Sequence, residues 1–371
     1  MKVVLIHDWL TGMRGGEKVL EALCDLFPDA PIYTLLHVPQ SVSAKIESRR
    51  IETSFLQHAP LIKKHYRNYL PLFPAAMERF DISQFDLVIS SSHCVAKGVV
   101  PSPSAVHLCY CHTPMRYIWS HYQDYFGDHR IGLLKRAALP LVIDRLRSWD
   151  VSSAARVHAF ACNSEAVAAR IRKFYGREAE VIYPPVDVEF FTPSGEPRKD
   201  FFLVVSALVP YKRIELAVEV ANRLDRRLVV VGAGPEERLL KRWASARVQF
   251  LGRVETEQLR NLYRTASALI QPGEEDFGIN IVEALACECP VIAYRAGGAI
   301  ETVVEGETGL FFNELTAESL SAVIDKTASL GFNKLLMRKT ALRFSLERFK
   351  AEFQSFVENK SRILYYGSKK K

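Results

Sequence analysis

Short apolar runs recur along the whole chain and alternate with longer segments that have helical periodicity. The runs that read as strands are 3–6, 31–35, 87–90, 106–110, 157–162, 201–205, 228–231, 248–251, 268–270, 291–293 and 309–311. The intervals that read as helices include 17–26, 164–175, 214–224 and 257–265. Because strands that alternate with helices form βαβ units, this pattern predicts an α/β protein with parallel sheets.

The chain of 371 residues is longer than one typical domain, and its pattern breaks at a proline-rich stretch. Prolines cluster at 183–187 and 192–197, so a linker is predicted near 184–198. The predicted domains are 1–190 and 198–345. A last helical region near 333–360 and a basic tail complete the chain, and the segment 346–371 is expected to pack against the first domain.

Composition and charge narrow the function classes. Hydrophobic residues make up 48% and charged residues 25%, which is typical of a globular protein, and the net charge is +7. This excess suits phosphorylated ligands or an anionic membrane surface, but it is too weak to indicate nucleic acid. No apolar run approaches the ~20 residues of a membrane span. The early charges argue against a signal peptide, and seven cysteines without a disulfide spacing indicate reduced thiols. A cytoplasmic protein is expected.

Two carboxylates, Glu275 and Glu283, flank a predicted strand–turn–helix segment that Pro290 ends. Parallel sheets bind ligands at the carboxyl ends of their strands, and the N-terminus of a helix binds anions through its free N–H groups. The carboxylates would then bind hydroxyl groups, so a nucleotide sugar fits this segment. The alternative is that both are exposed acids that favour the helix dipole.

This segment resembles the E-x7-E signature of family 4 glycosyltransferases, and the resemblance continues through 283–293, Gly297, Gly298 and 306–309. The family implies a GT-B fold, in which two Rossmann-like domains face each other across a deep cleft. The N-terminal domain would bind the acceptor and the C-terminal domain the nucleotide sugar. The family also implies retention of anomeric configuration without a metal ion.

The resemblance implies a role for each residue of the motif. Glu283 is expected to bind the ribose hydroxyls and Glu275 the hydroxyls of the donor sugar. The backbone N–H groups of Phe277, Gly278 and Ile279 are expected to bind the sugar and phosphate.

A second motif, 206–213, follows a predicted strand and contains Lys212 and Arg213. Lys212 matches the family lysine that binds the diphosphate, where it would neutralise charge that develops as the bond breaks. The usual arginine position is occupied by Ala207, so Arg213 is the candidate to compensate. The alternative for Lys212 is a solvated lysine on a first helical turn.

Two glycine-containing loops of the second half are weaker signals. Gly232 lies in a turn after a strand that lacks the third glycine of a dinucleotide fingerprint, and a tight turn explains it equally well. In the family this loop lies close to the nucleotide. Arg253 and Val254 follow another strand, where the family usually binds the base.

The first half contributes a glycine loop and a histidine. Gly15 and Gly16 lie between the first strand and first helix, and the resemblance implies that they face the donor phosphates or the acceptor. His112 follows a strand and matches a histidine that the family places beside the donor sugar. The alternatives are a flexible loop and a structural histidine.

The segment 55–73 mixes basic, aromatic and apolar residues. It is expected either to line the cleft as a helix with a solvated basic face or to contact an anionic membrane peripherally at the inner face of the cell membrane. A lipid-linked acceptor would account for the second interpretation.

The segments 7–10, 110–116 and 209–213 resemble most closely the mannosyltransferases of bacterial O-antigen and exopolysaccharide assembly. The predicted function is transfer of a hexose, mannose, from GDP-mannose to a glycan or lipid-linked glycan, with His112, Glu275 and Lys212 as catalytic residues. The alternatives are a UDP-sugar-dependent glycosyltransferase, a sugar-nucleotide epimerase or hydrolase of the same fold, and a non-catalytic nucleotide-sugar-binding subunit.

Overall fold

The computed structural model describes residues 1–119, 133–327 and 330–367. The chain divides into two compact units, of which the first comprises Met1–Pro185 and the chain from Glu347 onward and the second comprises Val186–Leu346. Each unit contains one parallel sheet with helices, so the predicted α/β class is confirmed.

The first unit has a seven-stranded sheet in the order β3-β2-β1-β4-β5-β6-β7. Its strands are β1 Val3–His7, β2 Ile32–Thr34, β3 Ile51–Thr53, β4 Leu87–Ser92, β5 Val106–Cys111, β6 Ala159–Cys162 and β7 Ala179–Val181. Its α-helices are α1 Gly15–Leu26, α2 Ala44–Glu47, α3 Ile62–His65, α4 Phe73–Glu78, α5 Arg116–Trp119, α6 Leu133–Ala154 and α7 Glu165–Tyr175. The helix α7 begins after Ser164, whose side chain caps it by accepting a hydrogen bond from the N–H of Val167.

The second unit has a six-stranded sheet in the order β10-β9-β8-β11-β12-β13. Its strands are β8 Phe202–Val205, β9 Leu228–Val231, β10 Val248–Gly252, β11 Ala268–Gln271, β12 Val291–Tyr294 and β13 Gly309–Phe312. Its helices are α8 Ile214–Arg223, α9 Glu237–Trp243, α10 Thr256–Thr265, α11 Ile279–Ala286, α12 Ala299–Thr302, α13 Ala317–Thr327 and α14 Lys334–Leu342. The apolar faces of β8, β9, β11 and α8 form its core.

Both sheets reverse their strand order at one point, and this reversal determines where ligands can bind. In the first unit the chain proceeds outward from β1 to β3 and then continues on the other side at β4. In the second unit the same reversal separates β8 from β11. In open parallel sheets, ligands bind at the carboxyl ends of the strands beside such a topological switch point.

The segment 55–73 is not the single helix that its composition suggested. It consists of 3-10 turns at Phe55–His58 and Tyr66–Leu72, with the four-residue α3 between them. Leu61 adopts a left-handed conformation with φ of 53°, and Pro71 lies inside the second turn. A proline removes a backbone donor and a left-handed residue reverses the helical path, so a continuous helix cannot form.

The last helical region also differs from the prediction. It contains two helices, α14 and α15 Leu346–Gly367, instead of one near 333–360. The carbonyl of Phe344 accepts a hydrogen bond from the N–H of Val186, so the backbone between the helices pairs with another segment. Phe349 and Phe353 of α15 pack against Tyr110, with ring centroids 5.7 and 6.2 Å away.

Within the described ranges, no helix combines the length and the apolar character that crossing a bilayer requires.

Candidate active site

The switch point of the second unit brings together the loops that follow β8 and β11. The loop after β8 contains a 3-10 turn, Pro210–Lys212, and the loop after β11 leads into α11. No side chain caps α11, whose N-cap residue Gly278 has φ of 87°. The N–H of Ile281 donates to the carbonyl of Gly278, whereas the two preceding N–H groups, of Ile279 and Asn280, have no acceptor within the helix and can bind an anion.

Lys212 and Glu275, which the motifs assign to different parts of the ligand, form an ion pair between Nζ and Oε2. The side chains are only 9% and 15% exposed, so the surroundings screen the pair less than they would at the surface. The other oxygen of Glu275, Oε1, accepts a hydrogen bond from Nε2 of Gln271 at 3.0 Å. Both carboxylate oxygens therefore have a defined partner.

Glu283 lies on α11 and is 4% exposed. Its Oε2 accepts a hydrogen bond at 3.0 Å from the hydroxyl of Tyr263, a fully buried residue of α10. Burial, with the nearby carboxylate, raises the pKa of Tyr263 well above its usual value, so the phenol remains a donor. This contact holds the carboxylate in one orientation.

Close backbone approach explains the glycines after the E-x7-E segment. Gly297 has φ of 58°, and a Cβ atom there would lie 2.0 Å from the carbonyl oxygen of Glu275. A Cβ atom at Gly298 would lie 2.3 Å from the Cα of Phe277. The side chain of Phe277 packs on Phe344 at 5.2 Å between ring centroids, while its backbone lies against Gly298.

Gly232 lies in close contact with the loop after β8. This glycine has φ of 128°, and a Cβ atom would lie 1.9 Å from the carbonyl oxygen of Ser206. The turn therefore needs glycine in order to pack against the loop after β8. Arg253 is exposed and Val254 half-buried at the end of β10.

Arg213 and Ala207 lie in the loop after β8. Arg213 has a left-handed conformation with φ of 54° and lies 3.6 Å from Glu215, the next acidic residue, as an ion pair. Ala207 is exposed. The structure thus directs Lys212 to Glu275 and Arg213 to Glu215.

In the first unit, the switch point contains a buried chain of hydrogen-bonded side chains. Ser91 Oγ lies 3.1 Å from Nδ1 of His7 and 2.8 Å from Nε2 of His112. Burial, together with the neighbouring His93 and His7, lowers the pKa of His112 to about 3, so its ring is neutral at physiological pH. Gly16 packs against both rings, because a Cβ atom would lie 3.5 Å from each. Gly15 begins α1 beside it.

Asp8 organises the loop after β4 and was not among the predicted site residues. Its carboxylate accepts hydrogen bonds at 2.6–3.0 Å from the backbone N–H groups of residues 93–96 and lies 2.9 Å from Nδ1 of His93. Burial alone would raise the pKa of Asp8, but His93 lowers it well below the usual range. Burial opposes protonation of His93, yet Asp8 raises its pKa. Each partner therefore favours the charged form of the other.

The sequence motifs did not indicate Gln271, Asn280 and Tyr263, the residues that contact the two motif carboxylates or their partners. A signal existed for Gln271, since it ends a buried strand where an apolar residue would be ordinary. In the part of the chain that the structure describes, no group of three or more His, Cys, Asp or Glu residues is arranged to hold a metal ion.

Comparison with known families agrees with this geometry. A family model described as Glycosyltransferase Family 4 matches residues 13–190, and one described as Glycosyl transferases group 1 matches residues 188–340. An uncharacterized glycosyltransferase of Methanocaldococcus jannaschii is 29% identical to this chain over 154 residues. The aligned region covers 40% of this chain and 43% of that protein.

Two further comparisons concern a named activity and the fold. A GDP-mannose-dependent alpha-(1-6)-phosphatidylinositol monomannoside mannosyltransferase of Mycolicibacterium smegmatis is 28% identical over 187 residues, 42% of this chain and 49% of that protein. Both alignments with curated proteins thus span less than half of the relative. The structure of Anabaena HepE in complex with UDP and glucose is similar in fold, with a TM-score of 0.70 over 96% of this chain and 99% of that one at 18% identity. These matches assign the chain to the GT-B glycosyltransferases, with a Family 4 domain followed by a group 1 domain.

Proposed function

We propose that this protein is a retaining glycosyltransferase that transfers mannose from GDP-mannose to a glycan or lipid-linked glycan in surface-polysaccharide synthesis. The observation that carries the proposal is the Lys212–Glu275 ion pair beside the uncapped N-terminus of α11. A cation, a carboxylate and backbone donors in one loop cluster suit a ligand that combines phosphate with sugar hydroxyls.

The ion pair suggests how the ligand would enter. The diphosphate would compete with Glu275 for the ammonium group of Lys212, and Oε2 of Glu275 would then accept a hydrogen bond from a sugar hydroxyl. Oε1 would keep its hydrogen bond from Gln271. When the donor binds, the protein would thereby lose the ion pair between Lys212 and Glu275 and gain one contact to the ligand from each side chain.

The reaction requires no protein nucleophile. The acceptor hydroxyl would attack the anomeric carbon on the face from which the diphosphate leaves, so the new glycosidic C–O bond forms as the bond to phosphate breaks. The departing phosphate oxygen would take the proton of the hydroxyl. Lys212 and the first N–H groups of α11 would stabilise the negative charge of the leaving group, as a bound metal ion does in other enzymes. Glu275 and, by the family resemblance, His112 would orient the sugar.

The choice of donor rests on the relatives. The mycobacterial relative is named as GDP-mannose-dependent, which supports GDP-mannose for this chain. The alternative is a UDP-sugar, which the Anabaena complex with UDP and glucose supports. Glu283 would bind the ribose hydroxyls, which both nucleotides share.

A lipid-linked acceptor is supported by an apolar and basic surface on the first unit. Leu61 is 72% exposed, and Phe55 and Leu72 are 47% and 46% exposed. Lys63 and Arg67 are exposed in the same segment. Such a combination suits an anionic bilayer, and we expect co-sedimentation with anionic vesicles to exceed that with neutral vesicles.

Calorimetric titration with GDP-mannose, GDP, UDP-glucose and UDP-N-acetylglucosamine, without added metal, tests the donor assignment. We expect binding of the GDP ligands alone and its loss in Glu283→Ala. Preference for a UDP ligand would change the donor, and absence of binding by all four would refute the nucleotide-sugar site. Release of free sugar or an epimer without acceptor would favour the hydrolase or epimerase. Glu275→Ala should lose turnover but still bind GDP.

A further inference from the structure

Beside the ion pair, a chain of hydrogen bonds leads from the sheet backbone to Glu275. Nδ2 of Asn280 donates to the carbonyl oxygen of Val205 at 3.0 Å and to Oε1 of Gln271 at 2.6 Å. Nε2 of Gln271 donates to Oε1 of Glu275 at 3.0 Å. The chain thus joins the ends of β8 and β11 and the first turn of α11.

The direction of this chain is fixed by its first member. A backbone carbonyl can only accept a hydrogen bond, so Asn280 must present its NH₂ group to Val205. The same NH₂ group faces Gln271, which must therefore present its oxygen to Asn280. The NH₂ group of Gln271 consequently faces Glu275, and Glu275 must accept. The polarity of one backbone carbonyl is transmitted through two amides to the carboxylate.

The surroundings leave the chain little freedom to rearrange. Gln271 is 1% exposed, and Asn280 is half-buried. A buried amide with reversed orientation would lose both of its hydrogen bonds, which costs roughly 1–3 kcal/mol for each unsatisfied group. Because Lys212 holds Oε2, the chain and the lysine together restrain both oxygens of Glu275.

We propose that Gln271 and Asn280 are positioning residues that hold Glu275 in place as a hydrogen-bond acceptor for the donor sugar. This inference rests on the proposed function, because it assigns Glu275 to the sugar. Before the ligand binds, Gln271 already donates a hydrogen bond to one oxygen of Glu275. The carboxylate therefore needs little reorganisation when the diphosphate replaces it as the partner of Lys212. Residues that lock a contacting side chain in this way contribute to turnover through precise placement.

Two isosteric substitutions disrupt the chain at different links. Gln271→Glu replaces the NH₂ group that faces Glu275 by an oxygen, so two acceptors oppose each other. Asn280→Asp removes the NH₂ group that donates to Val205 and Gln271. Gln271 would then turn its own NH₂ group toward the new carboxylate and its oxygen toward Glu275. Both variants retain side-chain size, so packing is preserved.

Matched controls make the same chemical changes elsewhere in the second unit. Asn222 donates from Nδ2 to the carbonyl oxygen of Trp243 at 2.7 Å, so Asn222→Asp repeats the loss of an amide donor to a backbone carbonyl. Gln249 is exposed on β10, and Gln249→Glu repeats the added charge. Neither residue belongs to the site.

The experiment measures kcat and KM for the sugar donor that binds in the calorimetric titration with the four nucleotide ligands. It also measures the Kd of the corresponding nucleoside diphosphate. A displacement of ~1 Å can cost roughly 100-fold in rate. We therefore expect kcat to fall about 100-fold in Gln271→Glu and Asn280→Asp, with less than about threefold change in nucleoside diphosphate affinity. The controls should remain within about twofold of wild type.

The outcomes separate this inference from the proposed function. Wild-type kcat in Gln271→Glu or Asn280→Asp would refute the inference, as would an equal loss of nucleoside diphosphate affinity, which indicates a general structural defect. If Glu275→Ala abolishes turnover while Gln271→Glu retains it, the proposed function stands and only the positioning role falls. If the wild-type protein binds none of the four ligands, both fall together.

Discussion

The replacement Gly297→Ala tests whether the backbone contact behind Glu275 maintains the site. Gly297 has φ of 58°, and its Cβ position lies 2.0 Å from the carbonyl oxygen of Glu275. The neighbouring N–H of Gly298 donates to that same oxygen at 3.0 Å. An alanine would therefore push the Glu275 backbone away by at least about 1 Å, because real Cβ contacts are essentially never shorter than 3.0 Å.

The cost can be worked out from these contacts. A left-handed alanine costs roughly 1–2 kcal/mol relative to glycine, and loss of the hydrogen bond to Glu275 adds roughly 1 kcal/mol. The free energy of unfolding should fall by about 2–3 kcal/mol, or a Tm shift of ~4–12 °C for a domain of this size. Displacement of Glu275 by ~1 Å should lower kcat roughly 100-fold.

Gly306→Ala is the matched control. Gly306 has φ of 78°, but none of the described atoms lies within 4 Å of its Cβ position. The variant should therefore lose only roughly 1–2 kcal/mol of unfolding free energy, because alanine is strained in the left-handed conformation, and its kcat should be unchanged. Thermal unfolding and donor turnover are measured for both variants. Equal stability and equal activity of the two would refute the clash and, with it, the argument that this contact places Glu275.

Two further predictions concern buried hydrogen bonds, one in each unit. Lys97 is 1% exposed, and its Nζ lies 2.6 Å from Oδ1 of Asp150. Lys97→Met should therefore lower the free energy of unfolding, measured by denaturant titration, by about 3–5 kcal/mol, because it leaves a buried carboxylate without its partner. The control Lys241→Met removes an exposed ion pair and should change that free energy by less than about 1 kcal/mol. Tyr263→Phe removes the donor to Glu283 and should weaken nucleoside diphosphate binding about tenfold by calorimetry; unchanged affinity would exclude a ribose contact oriented by this phenol.

The sequence predicted the interior strands well because their physical signal is strong. Strands of a parallel sheet are covered on both faces, so β9 and β11 read as uninterrupted apolar runs, and the predicted bounds differ from the observed ones by at most one residue. The three-residue edge strands β3 and β7 were missed. They are only half-buried or exposed and contain polar residues, so neither an apolar run nor a clear alternation marks them.

The partners of the motif carboxylates could not be predicted from the sequence. The contact of Gln271 with Asn280 depends on the position of α11 above the sheet, and the contact of Asn280 with Val205 depends on the neighbouring placement of β8 and β11. Lateral strand order is a property of the folded sheet, and spacing along the chain does not encode it. The ion pair of Lys212 with Glu275 was hidden for the same reason.

Glycines show most clearly why a loop motif does not by itself identify a ligand contact. Gly232 and Gly297 both follow strands and both have positive φ, yet in each case a Cβ atom would collide with a neighbouring backbone carbonyl. At Gly232 that carbonyl belongs to Ser206 in the loop after β8, and at Gly297 it belongs to Glu275 itself. The second glycine therefore bears on chemistry only through the residue it places. Whether a glycine contacts a ligand depends on which atoms a side chain at that position would meet. Those atoms can be identified only from the lateral order of the strands, which a motif leaves undetermined.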